Sequence, residues 1–222
     1  MDMDEYLDFP GMLVIANPNA PTGISLPREE IERLLRANPQ RVILVDEAYV
    51  DFGGESCVPL IHKYENLLVV QTMSKSRQLA GARLGYALGS VPLIEAMNRV
   101  KYSFNPYNVN RMTMAAGIAA VEDEVYFKKC CYTIVENRRW TTAELEKLGF
   151  SVLPSKANFV FAKSDKISGE ELYQRLKERG VLVRWFPEER IFDYLRITIG
   201  SKKQMQALIF EISCILQQEG GI

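Results

Sequence analysis

Short apolar runs separated by amphipathic stretches dominate the first half of the chain. Residues 12–16 (MLVIA), 42–45 (VILV), 67–70 (LLVV) and 85–88 (GYAL) each suit a buried strand. Between the first two, residues 27–37 place Ile31, Leu34 and Leu35 at i, i+3 and i+4, the spacing of one helix face. Helical patterns follow at about residues 92–101 and 109–120. Strands alternating with helices predict an α/β architecture, a mostly parallel sheet with crossover helices. A long helical pattern then runs over 123–148 and stops at Gly149, a residue suited to a helix C-terminus. Beyond it the order is strand (158–162), helix, strand (181–185), strand (194–199), helix, which predicts a smaller α+β domain. The expected division is a large domain over 1–122 and a small domain over 123–222 that includes the long linking helix. Ser168 with Glu171, and Ser201 with Gln204, have capping-box spacing, and Gly180 ends the first of these helices.

Composition narrows the chemistry. Among 222 residues, 27 Lys and Arg nearly balance 28 Asp and Glu, so nothing points to a nucleic-acid partner. Four cysteines (Cys57, Cys130, Cys131, Cys214) form no CxxC pair and a single histidine stands beside them, so no metal site is expected. The acidic start, MDMDEYLDFPG, has no apolar core of a signal peptide, and no apolar run is long enough for a membrane span. A cytoplasmic enzyme is the expectation. His62, in IHKYEN, reads as part of a polar turn, which leaves lysine, carboxylate, tyrosine or a cofactor to move protons. Met73, Phe104, Trp140 and Trp185 read as core packing.

Three polar clusters follow directly after strand runs: NPNAPTG, DEAYVDF and QTMSKSRQLAG. Ligands of open α/β sheets bind beyond the carboxyl ends of the parallel strands, so these clusters converge on one edge. Asp46 ends a buried strand, where it is either a turn residue or a charge held against a cationic ring. Tyr49 lies three residues on. Lys75 alone would be a solvated charge, but Thr72, Ser74 and Arg83 around it supply hydroxyls and a guanidinium suited to a phosphate dianion. Gly81 and Gly85 would allow close backbone approach. A lysine beside a phosphate and facing a carboxylate suits a Schiff-base cofactor.

The ordered set NPNAPTG, DEAYVDF, SKSRQLAGARLGY, NFVFAK and YLRITIG resembles the fold-type-I, pyridoxal-phosphate-dependent aminotransferases, most closely their histidinol-phosphate branch. The resemblance extends from about residue 4 to about residue 216. It implies that Lys75 bonds pyridoxal 5'-phosphate, that Asp46 partners the pyridine nitrogen and that Tyr49 partners the ring oxygen. Ser74, Arg83 and Thr72 would hold the phosphate. Arg196 would receive the donor's α-carboxylate and the acceptor's phosphate, with Arg184 a second anion-binding arginine and Asn158 bordering the pocket. On residue type alone, Arg184 and Arg196 are equally read as surface ion pairs. The implied reaction transfers an amino group from glutamate to imidazole-acetol phosphate, in a homodimer. Threonine-phosphate decarboxylation, another aminotransferase activity, or a fold retained without activity are the alternatives. Two departures stand out. Many members place Asn directly before PTG where this chain has Ala20, which leaves Asn19 to contact the ring oxygen. Members also begin well upstream of MDMDEYLDF, so an open edge strand, exposed apolar faces and weakened cofactor binding are expected.

Overall fold

A parallel pairing of Leu13–Ala16 (β1) with Ile43–Asp46 (β2), and of β2 with Leu67–Thr72 (β3), organises the first half of the chain in a computed structural model that describes residues 3–219. Helix Arg28–Ala37 (α1) makes the crossover between β1 and β2. Its predicted stripe is the buried one, since Ile31, Leu34 and Leu35 are almost wholly removed from solvent against Ile43, Val45 and Leu67. Each such side chain contributes about 1.5–3 kcal/mol of burial free energy. Pro27 stands just before the helix rather than inside it, where its missing N–H costs nothing.

The fourth strand, Gly85–Gly89 (β4), corrects the simplest reading of the pattern. It pairs antiparallel with β3, Thr72 opposite Gly85, giving the order β1-β2-β3-β4. The physical reason is the connection: only the loop 73–84 joins the two strands, without the crossover helix that a parallel neighbour requires. The start of β4 therefore lies at the same sheet edge as the carboxyl ends of the other three.

Helices Val91–Phe104 (α2), Arg111–Glu122 (α3) and Glu124–Lys147 (α4) follow. Asn110 caps α3, its side-chain oxygen accepting the Thr113 N–H at 2.9 Å. Much of the apolar surface of α2 and α3 is open: α2 has no buried residue, and Met112 and Ile118 of α3 are exposed. Phe104, expected in the core, is 90% exposed. Val14 on β1 is also exposed, so one face of this strand is uncovered among the described residues.

The chain divides into two compact units. The first holds the residues up to Asn19 and Ser25–Lys128, the second Ala20–Ile24 and the residues from Lys129 onward. The division thus falls inside α4, and the PTG turn joins the second unit. In that unit Phe150–Val152 (β5), Phe159–Ser164 (β6), Arg184–Trp185 (β7) and Leu195–Thr198 (β8) form an antiparallel sheet of order β5-β6-β8-β7. Strand β5 was not expected from the pattern. Its three residues directly after Gly149 are too few to show alternation. Helices Gly169–Glu178 (α5) and Lys202–Glu219 (α6) pack on one face. Both capping serines act as their spacing predicts, and Ser201 with Gln204 closes the full reciprocal box. Gly149 and Gly180 adopt left-handed backbone at φ 90° and 78°, which glycine tolerates without a Cβ penalty.

An exposed ion cluster ties α1 to the segment before β3. Glu32 accepts from Lys63 at 2.6 Å, from the Tyr64 hydroxyl at 2.7 Å and pairs with Arg36 at 2.8 Å. These donors, Lys63 first, lower its carboxyl from 4.5 to about 2. A carboxyl depressed by folding stabilises the protein above its unfolded pKa, and that contribution is lost as pH falls toward the folded value. Chemical denaturation between pH 5 and pH 2 should therefore show a stability loss that is smaller in Glu32→Gln.

Candidate functional site

The sheet of the first unit sets the site. Ala16, Asp46 and Val70 stand abreast in the parallel register, so the segments leaving β1, β2 and β3 emerge at one edge. Asn17 is buried there and stitches its own loop closed. Its side-chain oxygen accepts the Leu26 N–H at 2.8 Å and the Ser25 hydroxyl at 3.1 Å, and its amide donates to the Leu26 carbonyl. Asn19, two residues further, is half-buried.

Asp46 ends β2, half-buried, and its carboxylate accepts the Ala48 N–H at 3.0 Å. One carboxylate oxygen thus makes the turn that carries the chain to Tyr49. Both ordinary and special readings of Asp46 use this position. The Tyr49 ring lies beneath the Lys75 amine, with Nζ 5.4 Å from its centroid, within cation–π reach. Thr72 and Ser74 adjoin Lys75 and each other: the Thr72 hydroxyl donates to Ser74 Oγ at 2.9 Å and accepts the Ser74 N–H at 3.1 Å. Two hydroxyls, a backbone N–H and an ammonium are thereby grouped within four residues.

Arg83 lies further along the same loop. Its guanidinium is exposed and donates at 3.4 Å to the Ala80 carbonyl; among the described residues it shares no hydrogen bond with Thr72, Ser74 or Lys75. Nor do the neighbouring glycines take the strained backbone. Gly81 and Gly85 have no positive φ, whereas Gln78 and Arg83 do, at 58° and 54°. The left-handed region costs a non-glycine residue on the order of 1 kcal/mol, so the surrounding loop over-determines this conformation. Leu79 N–H to the Met73 carbonyl (2.9 Å) and Gln78 N–H to the Lys75 carbonyl (3.1 Å) are the bonds that do so.

Several residues of this edge were not singled out from sequence. Glu47 is buried and receives three donors: the Ser56 hydroxyl (2.7 Å), the Gln71 amide (2.7 Å) and the Cys57 N–H (2.5 Å). Gln71 in turn accepts from the Tyr86 hydroxyl at 2.6 Å. Burial, and then Glu47, push the Cys57 thiol up to about 12, so it is an inert core group. Burial and Asp51 raise the Tyr86 phenol as well. Period-2 alternation after the buried Val45 would have turned Glu47 inward. Nothing in the sequence named its three partners.

In the second unit Arg184 and Arg196 stand directly opposite in the β7–β8 ladder and so share a face, as does Phe161 opposite Arg196 on β6. That face is the one away from the α5–α6 core, which Leu195 and Ile197 occupy. Both guanidiniums lie against the Phe186 ring, at 5.4 Å and 5.6 Å, and Arg196 also lies 5.3 Å from Phe159. Among the described residues neither arginine pairs with a carboxylate. Asn158 immediately precedes β6, its carbonyl accepting the Ile199 N–H at 2.9 Å. The same stretch is anchored by the buried Arg138, which donates to the Ala157 carbonyl at 2.5 Å, and by Asn137, which donates to the Gly200 carbonyl at 2.8 Å.

No cluster of metal-ligating side chains occurs among the described residues, and no described helix is long and apolar enough to cross a membrane.

This arrangement, a lysine and tyrosine at the carboxyl edge of an α/β sheet followed by an α+β unit, defines a fold-type-I transferase scaffold. The sequence model for aminotransferase class I and II matches residues 2–212, and the chain belongs to that family. The histidinol-phosphate aminotransferase of Clostridium botulinum (strain Langeland / NCTC 10281 / Type F) is 48% identical over 218 residues, covering 98% of this chain and 62% of the relative. The chain thus spans about three fifths of the length of that protein. The crystal structure of the histidinol-phosphate aminotransferase from Clostridium acetobutylicum superposes with a TM-score of 0.91 at 26% identity, over 98% of this chain and 68% of that one. The enzyme from Sinorhizobium meliloti, solved in complex with pyridoxal-5'-phosphate, gives 0.84 at 25% identity, over 93% and 57%.

Proposed function

We propose that this chain carries the lysine-bearing part of a pyridoxal-phosphate-dependent histidinol-phosphate aminotransferase, acting in the cytoplasm as a homodimer on glutamate and imidazole-acetol phosphate. The observation that carries the reading is the Lys75 amine over the Tyr49 ring, one strand from Asp46, in a chain 48% identical to such an enzyme. The donor set fits the cofactor. Lys75 supplies the amine for its aldehyde carbon, and the Ser74 hydroxyl, whose oxygen accepts from Thr72, keeps its own proton to donate to a phosphate.

Bound there, pyridoxal phosphate supplies an electron sink for the substrate carbon that gives up its proton. Asp46 would hold the ring nitrogen with its charge. The Tyr49 hydroxyl, with Asn19, donates toward the ring oxygen. The Lys75 amine would take up and return the proton of the donor's Cα, as general base and then acid. Arg83 adds its charge at the phosphate. Arg196 and Arg184 receive the α-carboxylate and phosphate of the substrates, with Asn158 beside them. An unpaired guanidinium fork held on aromatic faces suits such planar or tetrahedral anions. The exposed apolar surface of α2 and α3 supports association with a second copy.

Glutamate-dependent formation of oxoglutarate with imidazole-acetol phosphate tests the reading. Carbon dioxide release from threonine phosphate in place of amino transfer would overturn it. Arg196→Ala should raise the KM for both substrates on the order of tenfold to a hundredfold, as loss of a charged hydrogen-bonding partner does. An unchanged KM for both would remove Arg196 from the site.

A further inference from the structure

We infer that Asp51 and Ser76 are a positioning pair for Lys75. The inference rests on the proposed role of Lys75 and concerns two residues outside the cofactor's own contacts. Ser76 is buried, and its hydroxyl donates to Asp51 Oδ2 at 2.5 Å. Asp51 lies on the short helical turn Val50–Phe52, directly after Tyr49, while Ser76 directly follows Lys75. The segment carrying the aromatic ring and the segment carrying the amine are therefore joined twice within a few residues. One link is the Lys75–Tyr49 contact at 5.4 Å; the other is this hydrogen bond.

The second link matters because Lys75 is a flexible side chain on a loop that no strand or helix holds. A lysine stem has four rotatable bonds, and a cation over a ring at this distance is a weak and poorly directional attraction at a partly exposed site. That is too little to fix an amine on a loop. A hydrogen bond to a charged acceptor is stronger and directional. On the far side, Arg77 completes the bracing. It donates to the Ala120 carbonyl in the last turn of α3 at 2.5 Å and lies 3.6 Å from the Phe127 ring. Lys75 is thus the outward residue of a stretch whose next two side chains are pinned in place.

Borohydride trapping with pyridoxal 5'-phosphate as the probe, followed by peptide mapping, reads the position of the amine without any turnover. Asp51→Ala and Ser76→Ala should each slow trapping at Lys75 on the order of tenfold, the size that a small misplacement of a reacting group produces. Acting through one shared bond, the double variant should be no slower than either single variant. Asp51→Asn, whose amide oxygen still accepts the serine proton, should trap close to the unaltered rate. The thermal midpoint of each cofactor-free variant separates misplacement from unfolding. Should Ser76→Ala fail to fold, Asp51→Ala at the exposed end against Asp51→Asn decides alone. Trapping at Lys75 that is indifferent to both alanines, or slowing that multiplies in the double variant, overturns the pair while leaving the role of Lys75 intact. Trapping of the unaltered protein at a different lysine overturns the proposed function and this inference together.

Discussion

Lys75→Ala is expected to lose both the borohydride-trappable cofactor and amino transfer, with turnover falling on the order of 10²–10⁴-fold. General acid–base catalysis contributes that much in enzymes, and the substitution also deletes the amine that bonds the aldehyde. The prediction depends on neighbours as much as on the lysine. The amine stands over Tyr49, on a residue that directly follows the Thr72–Ser74 hydroxyl pair, at the edge where β2 delivers Asp46. No fold defect should accompany the loss, because Lys75 is half-exposed and fills no core volume. Circular dichroism and the thermal midpoint should match the unaltered chain. A variant that retains trapping and turnover would show that a different amine does the chemistry.

Phe161→Ala is expected to cost about 3–5 kcal/mol of stability in the second unit, measured by chemical denaturation, as removal of a fully buried aromatic ring does. Phe161 is 1% exposed, stacks on Tyr194 with centroids 4.6 Å apart and meets Phe186 edge-on at 6.1 Å. Phe186 is the ring against which Arg184 and Arg196 lie, so the cavity would also loosen the wall that orients both guanidiniums. Phe161→Leu should recover most of the stability. A denaturation midpoint unchanged in Phe161→Ala would show that the ring is not part of a close-packed wall.

The two experiments separate two kinds of residue. In the proposed function Lys75 matters for what its nitrogen does and little for packing. Phe161 matters for packing, and through packing for where two cations sit. The polar chain Tyr86–Gln71–Glu47 belongs to a third kind, since it satisfies buried groups at the strand ends and so keeps the edge rigid.

Local patterns made much of this protein legible. The i, i+3, i+4 stripe of α1, the capping serines at 168 and 201, and the glycines that end α4 and α5 all depend on residues within one or two turns of each other. The three polar clusters after β1, β2 and β3 were legible for the same reason, because a strand run and the loop leaving it are contiguous. The direction of β4 was not, although the short connection without a crossover helix contained the cause. Strand β5 was too short for its alternation to register.

By itself, then, the sequence determined the order of elements, the apolar faces of its helices and the cluster of Lys75, Ser74 and Thr72, because each is set by residues close along the chain. The tertiary structure alone decided that Tyr49 lies under Lys75, that Asp51 meets Ser76 and that Arg184 and Arg196 share one face. It also set the Arg83 guanidinium against the Ala80 carbonyl. These pairings join residues brought together by strand register and loop closure. Side-chain direction and distance across such gaps follow from packing of the whole unit, which no short window of sequence encodes.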